Sequence, residues 1–274
     1  MNPEREGKKQ AERFRADHRL GVQPLGDLIE IVEHSTRADV AVVGVGPDEH
    51  GLTMCDPERG AVFVAVAATE RPMRQRFTLA HELAHVVFAD WEAPDGELGE
   101  RGPRERRADS FARHLLVPSD GLRAVVGSRA VLDEATLSAV VQRFLVSPQV
   151  AAIAMEQAGL VDEATKGRWF DRTTPALAAR FGWSDHYAAL ATDSARLRAP
   201  QRLLTRAIDG YVEGVVPLQV VATLRGLAPG VVEAEFRATG VVPAPPPDVA
   251  WAAGTSLPDV DLDALDRDFP EDAG

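Results

Sequence analysis

The stretch RQRFTLAHELAHVVFAD, Arg74 to Asp90, places two histidines four residues apart with a glutamate directly after the first. Residues four apart share one face of an α-helix, so a helix here turns His81 and His85 toward a single point. Glu82 then stands about 100° around the same helix. In the pattern H-E-x-x-H the two imidazoles ligate a divalent ion. The glutamate leans toward the ion's water as a general base and does not ligate. The plainer alternative is a buried apolar helix. It would have to find partners for two imidazoles and a carboxylate at once. With seven histidines in the chain, accidental matches are expected on the order of 0.01 times. The metal reading is the one we carry forward.

A catalytic site of this kind needs a third protein ligand. The long form of the motif would continue H-x-x-G-x-x-H, but Phe88 and Trp91 occupy the places of its glycine and third histidine. The other solution takes a carboxylate from a second helix, and ERRADSFARHLLVP offers Glu105, with Asp109 one turn further on. Ala108, Phe111, Ala112 and Leu115 form the apolar stripe of a helix packed on a core. Glu105 is therefore expected to ligate, and Asp109 to accept a hydrogen bond from the far nitrogen of a ligand histidine. Glu92, Glu97 and Glu100 are rivals in the Gly- and Pro-rich segment between the two helices. As oxyanion-stabilising groups we weigh His114, His186 and Tyr187; an exposed helix position is preferred for His114 and structural roles for the other two. Two imidazoles and a carboxylate suit Zn2+, and also Mn2+ or another divalent ion.

The 274 residues carry 30 Lys+Arg against 42 Asp+Glu, a formal charge of -12. Phosphate backbones repel such a chain unless a basic patch overrides the average, which disfavours direct nucleic-acid binding. The single cysteine, Cys55, allows no internal disulfide. No signal-like or membrane-spanning apolar run occurs. A cytoplasmic protein without a membrane span is expected.

Helices are expected over 24–35, from Pro72 through the motif, over 104–117, and over 133–145 and 148–158. Strands are expected at 38–46, at GLTMCD and at GAVFVAVAA. Residues 161–199 read as helical or as a poor hairpin, and three short helices follow between Pro200 and Gly240. The fold class is α+β: a small mixed sheet packed on the H-E-x-x-H helix and the second ligand helix, then helix-turn-helix-like and further helical segments. The expected organisation is 1–120 as the metal-bearing domain, 121–160 as the helix-turn-helix-like segment, 161–240 as a helical domain and 241–274 as an acidic, disordered tail.

At its two ligand segments the chain resembles the ImmA/IrrE family of metallopeptidases. That family is marked by R-x-R-F-T-x-A-H-E-x-x-H on one helix and E-x-x-A-[ND]-x-F-A-x-x-L-L-x-P on the next. Here these read RQRFTLAHELAH and ERRADSFARHLLVP. The resemblance implies a zinc-dependent endopeptidase with ligands His81, His85 and Glu105, base Glu82, and Asp109 at the Asn/Asp position. It also implies a protein substrate, a helix-turn-helix transcriptional repressor whose cleavage relieves repression. The strand before the metal helix, with Val62, Val64 and Val66, would then be the edge on which an extended substrate pairs. The alternative from another class is a regulatory protein that keeps the metal and binds a repressor or toxin without cutting it.

Overall fold

The computed structural model describes residues 2–46, 51–91, 102–128 and 132–244. An α+β fold is present, mostly helical, with a three-stranded mixed sheet. The strands are β1 (Asp39–Val43), β2 (Gly51–Asp56) and β3 (Ala61–Ala67). Their order is β1-β3-β2, with β1 parallel and β2 antiparallel to β3.

This order corrects one expectation. Val62, Val64 and Val66 lie on the central strand, not on an edge: Val64 faces Val40 on one side and Thr53 on the other. Val64 and Val66 are buried. A strand apolar on both faces is covered on both faces, and AVFVAVA is such a run. The outer side of β1 is closed by Arg198, which exchanges two backbone hydrogen bonds with Val42 at 2.8 and 3.0 Å. Among the described residues the edge left unpaired is β2, where Leu52 and Met54 remain 52% and 50% exposed.

Two helices carry the motif residues, α3 (Pro72–Phe88) and α4 (Pro103–Leu116). Both open with proline at the first turn, where its missing N–H leaves no bond unmade. Leu79, Ala80, Leu83 and Ala84 of α3 meet Ala108, Phe111, Ala112 and Leu115 of α4 in the main core, all of them buried. The predicted stripe of α4 is thus the packed face, and its two alanines let the helices approach closely.

The first helix, α1 (Pro3–Asp17), was not expected from the spacing of apolar residues. Its buried face is only Gly7, Ala11, Phe14 and the stem of Arg15, too sparse to register as an amphipathic pattern. It docks on α4 through polar pairs: Glu4 with Arg113 and His114, Glu6 with Arg107. Gly7 makes the approach possible, since a Cβ there would lie 2.4 Å from the Arg107 carbonyl oxygen and 2.7 Å from the Phe111 nitrogen. The connector that follows is tied by two arginines, one buried and one half-buried. Arg15 donates to the carbonyls of Gly21, Gln23 and Leu115, and Arg76 to those of Leu25 and Gly26.

Helix α2 (Leu28–Thr36) starts four residues later than its apolar spacing suggests. The Asp27 carboxylate caps the amides of Ile29 and Glu30 there. A short α5 (Ser119–Val126) follows α4 beyond Pro118, where the sequence reading ended the helix and delimited no separate element. The next pair, α6 (Glu134–Phe144) and α7 (Pro148–Gln157), bends by 106° at Leu145 to Ser147, an angle usual for helix-turn-helix units. Its apolar faces are consumed by the core. The uncertain stretch 161–199 forms three helices, α8 (Glu163–Phe170), α9 (Thr174–Arg180) and α10 (Ser184–Ser194), before the extended residues around Arg198 that pair with β1. Finally α11 (Gln201–Val212), α12 (Leu218–Arg225) and α13 (Pro229–Thr239) share a separate small core around Val221, Ala222 and Val232. Among the described residues no single helix is long and apolar enough to cross a membrane. The acidic stretch from 245 onward lies outside the described residues.

Replacing Gly7 by alanine should force α1 off α4, because the groups in the way are backbone and cannot rotate aside. A loss of about 1–3 kcal/mol is expected from such overpacking. Urea unfolding of Gly7→Ala beside the parent would read it as a lower midpoint; an unchanged midpoint would contradict the docking described.

Candidate metal centre

Helix α3 sets His81 and His85 one turn apart, and α4 crosses so that Glu105, in its first turn, reaches both. The two Nε2 atoms stand 3.2 Å apart. Glu105 Oε2 is 3.0 Å from His81 Nε2, and its Oε1 is 3.6 Å from His85 Nε2. Donor atoms about 2.0–2.2 Å from a tetrahedral ion lie about 3.3–3.6 Å from one another. The three groups stand within a few tenths of an ångström of that spacing, and they form a cluster able to hold a metal ion.

The other face of each imidazole strengthens the case. His81 Nδ1 donates to Asp109 Oδ1 at 3.0 Å, and His85 Nδ1 to Asp90 Oδ2 at 3.2 Å. With the proton fixed on Nδ1 in both rings, both Nε2 lone pairs point into the same small space. Two lone pairs at that distance repel, and a cation between them removes the conflict. Without a metal, a proton takes that part. Burial opposes the His81 imidazolium, but the hydrogen bonds to Asp109 and Glu105 outweigh it and raise its pKa from 6.5 to about 9.

Asp90 escaped the sequence reading, which saw only a loop beginning after α3. Its position depends on the helix end. Ala89 adopts a left-handed conformation (φ 53°), and the Asp90 amide returns to the His85 carbonyl at 2.9 Å. This 6→1 closure folds the carboxylate back onto the ring of the residue that accepts the bond. Arg107 then fixes Asp90 from behind, donating to its Oδ1 at 2.7 Å and to Glu6 Oε1 at 2.8 Å while lying 4.0 Å over the Phe88 ring. A legible signal was available, an acid five residues beyond the second histidine, but the turn that aims it was not.

Glu82 is 9% exposed and faces β2. Its Oε2 accepts a 2.6 Å hydrogen bond from the Thr53 hydroxyl, which orients one oxygen and leaves the other available. Gly51 provides the room: a Cβ there would lie 2.5 Å from Glu82 Oε1. Neither Thr53 nor Gly51 could be found from the motif, because they reach it only through strand order. The cleft beside them, about 830 Å³, is bounded by Val43, Leu52, Ala65 and Phe77 on its apolar walls and by Arg74, His81, Glu82 and Asp109 on its polar side.

The remaining candidates lie elsewhere. His114 is not an exposed helix residue: it is 7% exposed and its Nε2 pairs with Glu4 Oε1 at 3.0 Å, inside the contact between α1 and α4. Tyr187 packs edge-on against Trp183 on α10. His186, beside it, is exposed. Glu92, Glu97 and Glu100 fall outside the described residues.

Two outcomes follow for the metal. At neutral pH the proton on His81 must leave when a divalent ion takes Nε2, so uptake should release about one proton per ion. Affinity should climb about tenfold per pH unit until it levels off near pH 9. Titration calorimetry with Zn2+ in two buffers of different ionisation enthalpy reads the proton directly, and equal heats in both would contradict it. Asp90→Asn should weaken metal binding by about 10- to 100-fold. Competition against a chromogenic chelator would show this, and an affinity equal to the parent's would remove Asp90 from the site.

Among protein-family models, residues 47–156 match Peptidase_M78, the IrrE N-terminal-like domain. No curated protein matches the chain.

Proposed function

We propose that this chain, whose residues 47–156 match the IrrE N-terminal-like domain model, is a zinc-dependent endopeptidase whose substrate is a helix-turn-helix transcriptional repressor. The observation that carries the metal and the mechanism is the convergence of His81 Nε2, His85 Nε2 and the Glu105 carboxylate close to tetrahedral spacing, with Glu82 beside them. His81, His85 and Glu105 would hold the ion. When bound, zinc supplies a Lewis acid that lowers the pKa of its water toward about 7 and polarises the scissile carbonyl.

The chain's own residues do the rest. Glu82 takes the proton of the attacking water on the oxygen not held by Thr53 and delivers it to the leaving amine. The Thr53 hydroxyl keeps the carboxylate from rotating between these two transfers. Asp109 and Asp90 hold both imidazoles in the tautomer that leaves Nε2 free. The free edge of β2, next to Glu82, is where an extended peptide can pair main chain to main chain, while Leu52, Val43 and Phe77 take an apolar side chain. The repressor as substrate rests on the resemblance of the two ligand helices to the ImmA/IrrE enzymes.

The test compares purified parent, Glu82→Gln and Thr53→Val for metal content and for cleavage of a helix-turn-helix repressor encoded beside the gene. All three should retain about one metal per chain. Glu82→Gln should lose about 100- to 10,000-fold in turnover, and Thr53→Val should lose turnover while its KM stays near the parent's. Metal retention with no cleavage by the parent would favour the non-cutting regulator. Absence of metal from all three would refute the site.

A further inference from the structure

Each of the two histidines leans on a carboxylate, but the two carboxylates are anchored differently. Asp109 stands inside α4, whose backbone fixes it. Asp90 stands beyond the end of α3, past the left-handed Ala89, and no helix carries it. Its oxygens are divided between two partners: Oδ2 faces His85 Nδ1 at 3.2 Å, and Oδ1 accepts from Arg107 Nη2 at 2.7 Å. Bonds to separate oxygens fix the plane of the carboxylate. The Asp90 side chain is 9% exposed, so water contributes little to its orientation.

Arg107 is placed in turn by α1. Its Nη1 donates to Glu6 Oε1 at 2.8 Å and its guanidinium lies 4.0 Å over the Phe88 ring, while its buried Nε has no hydrogen-bond partner among the described residues. A buried N–H left unpaired is unfavourable, and the orientation that leaves it so is the one that bridges Glu6 and Asp90. Charge balance points the same way. An arginine paired with Asp90 alone would draw negative charge away from the His85 N–H and make the imidazole a weaker ligand. Glu6 shares that positive charge, so Asp90 keeps its pull on the ring.

Seating α1 does not depend on Glu6. Glu4 pairs with Arg113 at 2.5 Å and with His114 at 3.0 Å, and the Ser110 hydroxyl donates to the Glu4 carbonyl at 2.8 Å. None of these contacts involves Asp90 or His85. We propose that Arg107 and Glu6 are positioning residues for the metal, acting through Asp90, so that docking of α1 and occupancy of the metal centre are linked; this rests on His81, His85 and Glu105 being metal ligands and not on any substrate. The linkage is reciprocal: whatever factor α1 adds to metal affinity, the metal adds to the docking of α1.

The full-length protein carries the test, with Zn2+ affinity read by competition against a chromogenic chelator. Arg107→Met should lose about tenfold and Glu6→Gln about threefold, near the lower end for groups that orient a metal ligand. Glu4→Gln, which weakens the same helix contact away from the site, should match the parent. Once Asp90 is changed to asparagine, Glu6→Gln should cost nothing more, because residues on one path do not add. The visible absorption of the Co2+ form reports ligand geometry and should shift in Arg107→Met but not in Glu4→Gln. Zn2+ should also slow amide exchange in residues 5–9 of the parent, and less so in Glu6→Gln. An equal loss in Glu4→Gln, an undiminished Glu6→Gln loss in the Asp90→Asn background, or parental affinity in both Glu6→Gln and Arg107→Met would each overturn the proposal. Should Arg107→Met not fold, the partly exposed Glu6→Gln and its cycle with Asp90→Asn still decide. A parent that binds no ion would overturn the metal reading and this linkage together, whereas a parent that binds while the variants match it overturns the linkage alone.

Discussion

Two imidazole nitrogens held 3.2 Å apart with their lone pairs facing each other make an arrangement that a folded chain tolerates only with a positive charge between them. Most of the structure around that point can be read as the means of keeping it. Each ring is locked from behind by a carboxylate, Asp109 on α4 for one and Asp90 on the turn after α3 for the other. Glu105 closes the third side. The packing of α3 on α4 through alanines then fixes the separation, because a larger residue at Ala108 or Ala112 would push the carboxylates away from the rings.

The support extends further than the ligands. From His85 a continuous polar path passes through Asp90 and Arg107 to Glu6 on the first helix. Helix α1 contributes little apolar area, yet it supplies the counter-charge that holds Arg107 against Asp90 and Phe88. Such an arrangement explains why a helix with a glycine in its buried face is retained on the fold. Its contribution is electrostatic order near the site more than core volume.

How much of this could be read from the sequence depended on the range of the interactions. His81, Glu82, His85, Glu105 and Asp109 lie on two helices whose periodicity is explicit, and the structure brings all five to one place. The apolar stripe of α4 was legible for the same reason. What was not legible depended on strand order or on a single dihedral. Thr53 and Gly51 meet Glu82 only because β2 is the strand left on the outside, and no local pattern distinguishes order β1-β3-β2 from its alternatives. Asp90 depends on Ala89 adopting a conformation unusual for alanine. Helix α1 was missed because charges hold it, and charge carries no period. Val62, Val64 and Val66 were assigned to an edge because their strand is nearest the metal helix in sequence. A run apolar on both faces was already the mark of a central strand.

The exposed edge of β2 has an implication for the behaviour of the protein in concentrated solution. Its backbone groups, unpaired among the described residues, form with Leu52 and Met54 beside them a template open to an extended segment, including β2 of another molecule. Antiparallel pairing of two such edges would bury the Thr53–Glu82 side of both clefts. Self-association through this strand and loss of access to the site would then be one event, so the feature that admits a guest chain also sets the concentration above which molecules occlude one another.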